Sequence, residues 1–231
     1  MGLFEETLRA ALTQAGIPYE EELPTRCRAY FDAVVEANER LNLTRITDEA
    51  QAAQQHFADA LKLTSAMELP PGCRVIDVGT GAGFPGVPVK LLRPDIRLTL
   101  LDAAGKKTDF VRSALEAMGV EAEVVCGRAE ELARGEMRES FDVALSRAVA
   151  PLRTLLELCA PLLRTGGTLA AWKGEGYAQE LSDAKHALGE LGCAQKATIP
   201  IGPGALLLIE KREPAPKKYP RRFAKIKSDP L

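Results

Sequence analysis

A glycine-rich loop after a short apolar run is the strongest chemical signal in the sequence. Residues 75–86 have the sequence VIDVGTGAGFPG, in which Gly79, Gly81 and Gly83 lie close together. The apolar run predicts a buried strand. The glycines predict a turn where a ligand can approach the backbone closely, because glycine lacks a Cβ and accepts positive φ. The sequence therefore predicts a binding site for a nucleotide-like cofactor in this loop.

An acidic residue, Asp102, ends the next apolar run of the sequence. A carboxylate at the end of a second strand can accept hydrogen bonds from the two hydroxyls of a ribose. Gly81, Gly83 and Gly86 also fit the GxGxxG pattern of dinucleotide-binding proteins, so an NAD(P)-dependent oxidoreductase is one interpretation. The pattern alone has low specificity, and either cofactor would use Asp102 in the same way.

Asp77 separates these interpretations, because it lies in the predicted strand just before Gly79. A dinucleotide site presents backbone amides to a pyrophosphate, which a nearby carboxylate would repel. S-adenosylmethionine has no phosphate but carries an ammonium group, and Asp77 can bind that group or order the loop around it. This carboxylate favours S-adenosylmethionine as the cofactor. The lack of a Tyr-Lys pair for hydride transfer also argues against the oxidoreductase.

The ends of two later apolar runs provide further candidate residues. Ala129 and Glu130 follow the third apolar run, and Glu130 or a nearby backbone amide can bind the adenine amino group there. Arg147 ends the fourth apolar run. The chain has neither the Asp/Asn-Pro-Pro run used to methylate exocyclic adenine nitrogens nor a Pro-Cys pair for cytosine carbon. Methylation of a ring nitrogen that has a free lone pair requires alignment with the methyl donor but no base to remove a proton. The planar guanidinium group of an arginine can hydrogen-bond to O6 and N7 of guanine. Arg147 is therefore the candidate catalytic residue, acting by positioning.

The order of predicted elements indicates how these residues are held. Residues 1–69 have helical periodicity, broken at Pro24, and after residue 70 short apolar runs alternate with helical stretches, which predicts an α/β fold of the Rossmann-like type. The predicted strands are 74–78, 97–102, 123–126, 141–146, 168–173, 194–199 and 205–210, and the helices between them are 87–92, 106–118, 151–163 and 177–191. The predicted domains are a helical cap (1–69), a catalytic domain (70–212) and a basic tail (213–231).

Composition limits the classes of protein that need to be considered. Hydrophobic residues at 46% and charged residues at 27% are typical of a folded globular chain. The N-terminus lacks a signal peptide and no apolar stretch is long enough to cross a membrane, so we expect a cytoplasmic protein. We also expect it to be a monomer. The five cysteines form no CxxC pair, which predicts reduced, mostly buried thiols and no metal site.

Several motifs together resemble the RsmG (GidB) family of bacterial 16S ribosomal RNA methyltransferases. These are DVGTGAGFPGVP, LTLLDAAGKKTDFVR, FDVALSRAVAPL and AAWKG, with LNLTRIT and HFADALKL upstream and KKYPRR downstream. The resemblance implies a seven-stranded methyltransferase fold, S-adenosylmethionine as donor, and methylation of guanine N7 in 16S rRNA of the small ribosomal subunit. It places donor binding at Gly79, Phe84, Ala129, Glu130 and Arg147, with Asp102 holding the ribose.

The sequence departs from the family pattern at two places. Ala103-Ala104 stands where a Ser commonly follows the ribose-binding acid, and the ending RRFAKIKSDPL replaces an Ala-Gly-Thr-Pro type of ending.

Residues outside the glycine loop are candidates for contact with RNA. Asn42, Arg45 and His56, with Thr44 and Asp59, belong to the upstream motifs and are predicted to line a rim, although a structural role for His56 is equally compatible. Further candidates are Lys173 after the fifth strand and Lys217, Lys218, Arg221 and Arg222 in the basic tail, where cations can contact phosphates. Deleting residues 214–231 is expected to weaken RNA binding and leave donor affinity unchanged. A non-catalytic, nucleotide-sensing RNA-binding module is the remaining alternative.

Overall fold

Strands and helices alternate through most of the chain. The structure, a computed structural model, describes residues 2–231. The strands are β1 (Arg74–Val78), β2 (Arg97–Asp102), β3 (Glu123–Cys126), β4 (Phe141–Arg147), β5 (Leu163–Lys173), β6 (Cys193–Ile201) and β7 (Gly204–Lys211). The α-helices are α1 (Leu3–Gln14), α2 (Leu23–Leu41), α3 (Glu49–Ala52), α4 (Asp59–Leu61), α5 (Leu63–Ala66), α6 (Gly86–Leu92), α7 (Gly105–Ala117), α8 (Ala129–Leu132), α9 (Leu152–Cys159), α10 (Tyr177–Asp183), α11 (Lys185–Glu190) and α12 (Phe223–Ser228), and a π-helical segment (Ala53–Ala58) joins α3 to α4.

The strands form one seven-stranded sheet in the order β3-β2-β1-β4-β5-β7-β6. The pairs β2–β3, β1–β4 and β4–β5 are parallel, whereas β7 runs antiparallel to both β5 and β6. Helices connect the parallel strands, as parallel pairing requires a crossover. The predicted Rossmann-like α/β fold with seven strands is confirmed.

The chain divides into two compact units. The first comprises the residues up to Gly72 together with 80–126, and the second comprises 73–79 together with 127–231. The first unit therefore contains the helical N-terminal region and β2 and β3. The second contains β1, β4 to β7 and the C-terminal segment.

An aromatic cluster forms the core of the helical part of the first unit. Phe4 of α1 stacks on Phe31 of α2 with ring centroids 5.3 Å apart, and Phe57 meets Phe4 edge-on at 5.1 Å. Such pairs stabilise a fold by about 0.5–1.5 kcal/mol each beyond area burial. Phe4 lies on the buried face of α1 with Leu8 and Leu12, whereas Leu3 is 56% exposed.

The start of α2 differs from the prediction that Pro24 breaks the helix. The helix begins at Leu23, so Pro24 lies in its first turn, where a missing N–H costs no helical hydrogen bond. At the other end, Asn42 adopts a left-handed conformation with φ 49°, and its backbone N–H donates to the carbonyl of Asn38. The asparagine of the LNLTRIT motif therefore ends α2.

Two helices of the second unit are shorter than predicted. The helix predicted over 151–163 begins at Leu152 and ends at Cys159, because Leu163 already pairs with Phe141 at the start of β5. Pro151 therefore precedes the helix and does not form its first turn. The helix predicted over 177–191 is divided at Ala184 into α10 and α11.

The C-terminal segment, predicted as a basic tail, packs against the second unit. Tyr219 and Ile226 are buried, and the Arg138 guanidinium donates to the carbonyls of Tyr219 and Ala215 at 2.8 and 2.7 Å. The Tyr219 hydroxyl donates to Glu190, and hydrogen bonds from Lys218 and Tyr219 lower the pKa of the Glu190 carboxyl. Deletion of residues 214–231 would remove these contacts as well as positive charge, so point variants test RNA binding more sharply.

A buried ion pair anchors this segment to α9. Glu157 is completely buried, and both of its carboxylate oxygens accept hydrogen bonds from the Arg221 guanidinium, at 2.8 and 2.7 Å. The backbone N–H of Arg221 donates to the same carboxylate at 2.8 Å. Arg221 is thus a structural residue in addition to its predicted role in RNA binding, which stays a prediction.

Replacing Glu157 by Gln is expected to lower the free energy of unfolding by about 2 kcal/mol. Removing one partner of a buried pair costs about 3–5 kcal/mol, and the 21% exposure of the Arg221 side chain reduces this value because water can solvate the remaining charge. Urea unfolding measures the change. Asp229→Asn is the matched control, because Asp229 pairs with Arg221 and Lys225 in an exposed position and its loss should have no measurable effect. Equal loss of stability in both variants would contradict the anchoring role of Glu157.

Candidate functional site

In the first unit, Asp102 holds the glycine-rich loop. One carboxylate oxygen accepts the Gly81 N–H at 2.9 Å, and the other accepts the Ala104 N–H at 2.9 Å. The Thr80 N–H donates to the carbonyl of Leu101 at 3.0 Å, which fixes the start of the loop beside the end of β2. A carboxylate offers about four acceptor positions, so Asp102 retains capacity for further hydroxyl donors. Its half-buried position leaves that capacity accessible.

The face of the loop at Gly81 is open. Gly81 has φ +57°, and a Cβ built on it would meet no atom within 4 Å. Open space beside a glycine that lies within hydrogen-bond reach of a carboxylate allows a ligand to approach the backbone. The loop and Asp102 therefore fit an adenosyl ligand whose ribose hydroxyls hydrogen-bond to the carboxylate.

The opposite side of the loop is packed against Tyr30 of α2. The Tyr30 hydroxyl donates to the Ala82 carbonyl at 2.8 Å, and a Cβ on Gly83, which has φ +85°, would overlap that hydroxyl. The close approach of Tyr30 on α2 thus requires a glycine at position 83. Sequence reasoning missed Tyr30, because its position on the buried face of α2 resembles that of any core aromatic residue.

A stacked pair of rings joins the loop to an upstream motif. The His56 ring, in the π-helical segment, stacks on Phe84 with centroids 4.6 Å apart and planes 18° apart. His56 Nε2 and the Thr44 hydroxyl lie 2.8 Å apart, and the Thr44 N–H donates to the side chain of Asn38 at 2.8 Å. The structure therefore brings His56 of HFADALKL and Thr44 of LNLTRIT to the glycine loop.

The other residues of these motifs occupy the surface of the first unit. Asn42 and Arg45 are exposed, which leaves them available for contact with a large ligand. Asp59 forms an ion pair with Lys62 at 2.8 Å. The predicted RNA contacts of Asn42, Arg45 and His56 stay predictions, and His56 at 9% exposure has a packing role beside Phe84.

In the second unit, Asp77 and Gly79 lie at the end of β1. Asp77 is completely buried, and a Cβ on Gly79 would overlap the side chain of Val149. The hydroxyl of Ser146 donates to the carbonyl of Val78 at 3.1 Å, which joins β4 to β1 at this level. The loop after β4 thus lies directly on the first glycine of the motif.

Arg147 ends β4 and is half-buried. The next residue, Ala148, has φ 58°, a conformation that few non-glycine residues adopt, so the chain turns sharply there. Such outliers cluster at functional sites. This turn places the predicted positioning residue at the carboxyl end of a parallel strand, where ligands bind in open α/β sheets.

Lys173 stabilises the turn that follows Arg147. Its ammonium donates to the Ala150 carbonyl at 2.6 Å and pairs with Glu180 at 2.7 Å, and its side chain is 8% exposed. Glu180 also accepts the Leu152 N–H at 2.7 Å and so caps α9. Lys173 therefore already has two partners within the chain, and its predicted contact with an RNA phosphate stays a prediction.

The remaining predicted residues are divided between the interior and the surface of the second unit. Ala129 and Glu130 begin α8 and are 8% and 4% exposed. Lys217 and Arg222 are exposed, and Lys218 pairs with Glu190 at 2.9 Å. The predicted donor-binding role of Ala129 and Glu130 stays a prediction, as does the RNA contact of the exposed cations.

Three of the five cysteines are buried in structural positions, whereas Cys126 is exposed. Cys27, Cys73 and Cys159 are buried, and burial raises the pKa of the Cys27 and Cys159 thiols, with a further contribution from Asp77 at Cys159. Burial also raises the pKa of Cys193 to about 11. A raised pKa keeps a thiol protonated and weakly nucleophilic.

Two kinds of feature are absent from residues 2–231. No group of three or more His, Cys, Asp or Glu side chains there is arranged to hold a metal ion. None of the helices described is long and apolar enough to cross a membrane.

The fold is that of S-adenosylmethionine-dependent methyltransferases. A SAM-dependent methyltransferase from Aquifex aeolicus superposes with a TM-score of 0.56 at 16% identity, covering 71% of this chain and 93% of that one. The cofactor-bound protein Rv0187 from MTB gives a TM-score of 0.59 at 22% identity, over 80% of this chain and 90% of that one. These similarities define the class of fold.

The chain belongs to the GidB family, described as rRNA small subunit methyltransferase G, whose model matches residues 25–201. It is 39% identical over 226 residues to the ribosomal RNA small subunit methyltransferase G of Moorella thermoacetica, which covers 94% of both chains. The protein of that name from Symbiobacterium thermophilum is 41% identical over 243 residues, which cover 100% of this chain and 97% of that one. The resemblance inferred from the motifs is confirmed, and the chain is a methyltransferase by family and fold.

Proposed function

We propose that this protein transfers a methyl group from S-adenosylmethionine to N7 of a guanine in 16S rRNA of the small ribosomal subunit. The observation that carries the proposal is the glycine loop tied to Asp102, with its open face at Gly81, in a chain that belongs to the rRNA small subunit methyltransferase G family. No comparable observation supports the alternative function of an NAD(P)-dependent oxidoreductase. No such observation supports the alternative of a non-catalytic RNA-binding module either.

The donor's groups are assigned to residues by their chemistry. Asp102 accepts the ribose hydroxyls with the lone pairs that Gly81 and Ala104 leave available. Asp77 balances the positive charge of the ammonium group, directly or through water. The remaining donor-binding residues that we propose are Gly79, Gly83, Phe84, Ala129, Glu130 and Arg147.

The transfer needs alignment and little other chemistry. When bound, the donor supplies an electrophilic methyl group, and guanine N7 already carries a lone pair, so no residue has to remove a proton first. Arg147 has a planar guanidinium that can hydrogen-bond to guanine or to a neighbouring phosphate and fix the base. Holding two reactants in a near-attack geometry can supply about 7–11 kcal/mol of the barrier.

The proposal also covers the partner, the cellular location and the domain organisation of the protein. The partner is 16S rRNA or the small subunit, contacted by the predicted RNA-binding residues, and the protein acts in the cytoplasm as a monomer. We retain the organisation into a helical cap (1–69), a catalytic domain (70–212) and a basic C-terminal segment (213–231) as part of the proposal.

Transfer of a labelled methyl group tests this function. The protein is incubated with methyl-labelled S-adenosylmethionine and with small-subunit or large-subunit rRNA transcribed in vitro, and the label in each RNA is counted. We expect label in small-subunit RNA alone, while calorimetry detects binding of S-adenosylmethionine and none of NAD⁺. Label in the protein itself, equal label in both RNAs, or binding of NAD⁺ in preference to the donor would reject the proposal.

A further inference from the structure

A small pocket lies between α8 and α12 in the second unit. Its volume is about 250 Å³. It is lined by Arg128, Glu130, Glu131, Arg134, Arg222 and Phe223. Pockets that enclose a whole small-molecule ligand usually measure roughly 300–1,000 Å³, so this one suits part of a larger ligand.

The three arginines of the pocket are exposed side chains that lie close together in the fold. Arg128, Arg134 and Arg222 are exposed, and within residues 2–231 none of them forms an ion pair with a carboxylate, although Glu130 and Glu131 line the same pocket. Their neighbour Arg221, in contrast, is paired with buried Glu157. Clustered guanidinium groups without carboxylate partners attract phosphate, which their planar fork binds in bidentate fashion.

An aromatic ring lies beside one of these arginines. The Arg128 guanidinium carbon is 5.1 Å from the centroid of the Phe223 ring, and Phe223 is 37% exposed. Proteins that bind single-stranded nucleic acid combine flat aromatic and guanidinium surfaces, on which bases stack, with cations that contact the backbone. The pocket contains both kinds of group.

The pocket is held in a fixed position. The Arg134 side chain donates to the Pro220 carbonyl at 3.1 Å, and the ion pair of Arg221 with Glu157 anchors the residue that precedes Arg222. Ile226, one turn further along α12, is fully buried. Arg222 and Phe223 are therefore presented from an anchored segment, which reduces the entropy lost when a ligand binds.

We propose that this pocket is an RNA subsite that takes one nucleotide of the substrate other than the methylated guanine. Its arginines contact the phosphodiester, and its base stacks on Phe223 and Arg128. This inference rests on the proposed function, because it assumes that the chain acts on RNA. It adds Arg128 and Arg134 to the RNA-binding residues expected from the sequence and gives Phe223 of the basic tail a defined stacking role.

Four substitutions test the subsite in the full chain. Phe223→Ala removes the stacking surface, Phe223→Tyr retains it, and Arg128→Gln and Arg134→Gln each remove one charge. Lys196→Gln, on the exposed outer strand β6, is the matched charge control. Filter binding of unmodified small-subunit rRNA is measured across a salt titration, and calorimetry measures S-adenosylmethionine binding.

We expect Phe223→Ala to weaken RNA binding about tenfold and Phe223→Tyr to restore it. Arg128→Gln and Arg134→Gln should each reduce the slope of log K against log salt concentration by about 0.7–0.9, and Lys196→Gln should not. Donor affinity should be the same in all five proteins.

Three outcomes would overturn the inference. Unchanged RNA binding in the Phe223 and arginine variants, with an active wild type, would reject the subsite and leave the proposed function intact. Loss of donor affinity in these variants would mean that the pocket belongs to the donor site. A wild-type chain that neither binds nor methylates small-subunit rRNA would reject the proposed function, and the subsite with it.

Discussion

Replacing Asp102 by Ala is expected to weaken S-adenosylmethionine binding at least about 100-fold. The carboxylate accepts the N–H groups of Gly81 and Ala104, and we assign the ribose hydroxyls to its remaining lone pairs. Hydrogen bonds to a charged group contribute about 1.5–3 kcal/mol each, so the loss of two or more costs at least about 3 kcal/mol. The variant loses both the order of the loop and the ribose contact. Isothermal titration calorimetry measures the effect.

Asp109→Ala is the control for this prediction. Asp109 is an exposed carboxylate on α7, the helix that follows the Asp102 loop, and it pairs with Arg112 in the next turn. Its loss should leave donor affinity unchanged. A donor affinity for Asp102→Ala within threefold of wild type would mean that the end of β2 does not hold the ribose.

Replacing Gly83 by Ala is expected to lower the free energy of unfolding by about 3 kcal/mol. A Cβ there overlaps the Tyr30 hydroxyl and lies 2.7 Å from a methyl group of Val87, and the residue has φ +85°. Overpacking of a core costs about 1–3 kcal/mol. A left-handed backbone adds about 1–2 kcal/mol for a residue with a Cβ. Displacing Tyr30 also breaks its hydrogen bond to the Ala82 carbonyl.

Gly81→Ala separates the cost of overpacking from the cost of the backbone conformation in the loss of stability predicted for Gly83→Ala. Gly81 also has positive φ, but its Cβ would meet nothing within 4 Å, so only the backbone cost of about 1–2 kcal/mol applies. The added methyl group nevertheless projects into the open face where we place the donor. We therefore expect Gly83→Ala to be the less stable variant in urea, and Gly81→Ala to fold and bind the donor weakly. Equal unfolding midpoints for the two variants would contradict the packing of α2 on this loop.

Most strands of the sheet were predictable because they contain a short apolar run beside a turn signal. The predicted bounds of β1, β2 and β3 match those found, since polar or glycine residues flank these runs on both sides. The bounds of β5 were less predictable. Its first residues, Leu163 to Gly167, pair in part with β4, although Arg164 and the glycines lack the apolar pattern of a strand.

The partners of individual side chains could not be predicted from the sequence. Tyr30 and His56 lie on buried faces of helices, where the local pattern is the same for a core residue and for one that supports a ligand loop. Arg221 belongs to a basic run that resembles a solvated tail, and only the fold reveals buried Glu157 beside it. Each of these contacts joins residues far apart in the chain, so no local periodicity reports it.

The candidate residues for donor binding could be predicted from the sequence because each lies at or just after the end of a predicted strand. Gly79, Asp102 and Arg147 all lie at the carboxyl ends of parallel strands in the structure, where open α/β sheets bind their ligands. The side chains that support these positions come from helices and loops instead. Lys173 and Glu180, which hold the turn after Arg147, are an example.

The most direct test of the central claim is the identity of the methylated atom. Unmodified small-subunit rRNA is incubated with the protein and S-adenosylmethionine, digested to nucleosides and analysed by mass spectrometry, and the site is mapped by strand cleavage at N7-alkylated guanine. We predict 7-methylguanosine at a single position of the RNA. A methyl group on a pyrimidine, on adenine or on another atom of guanine would contradict the account.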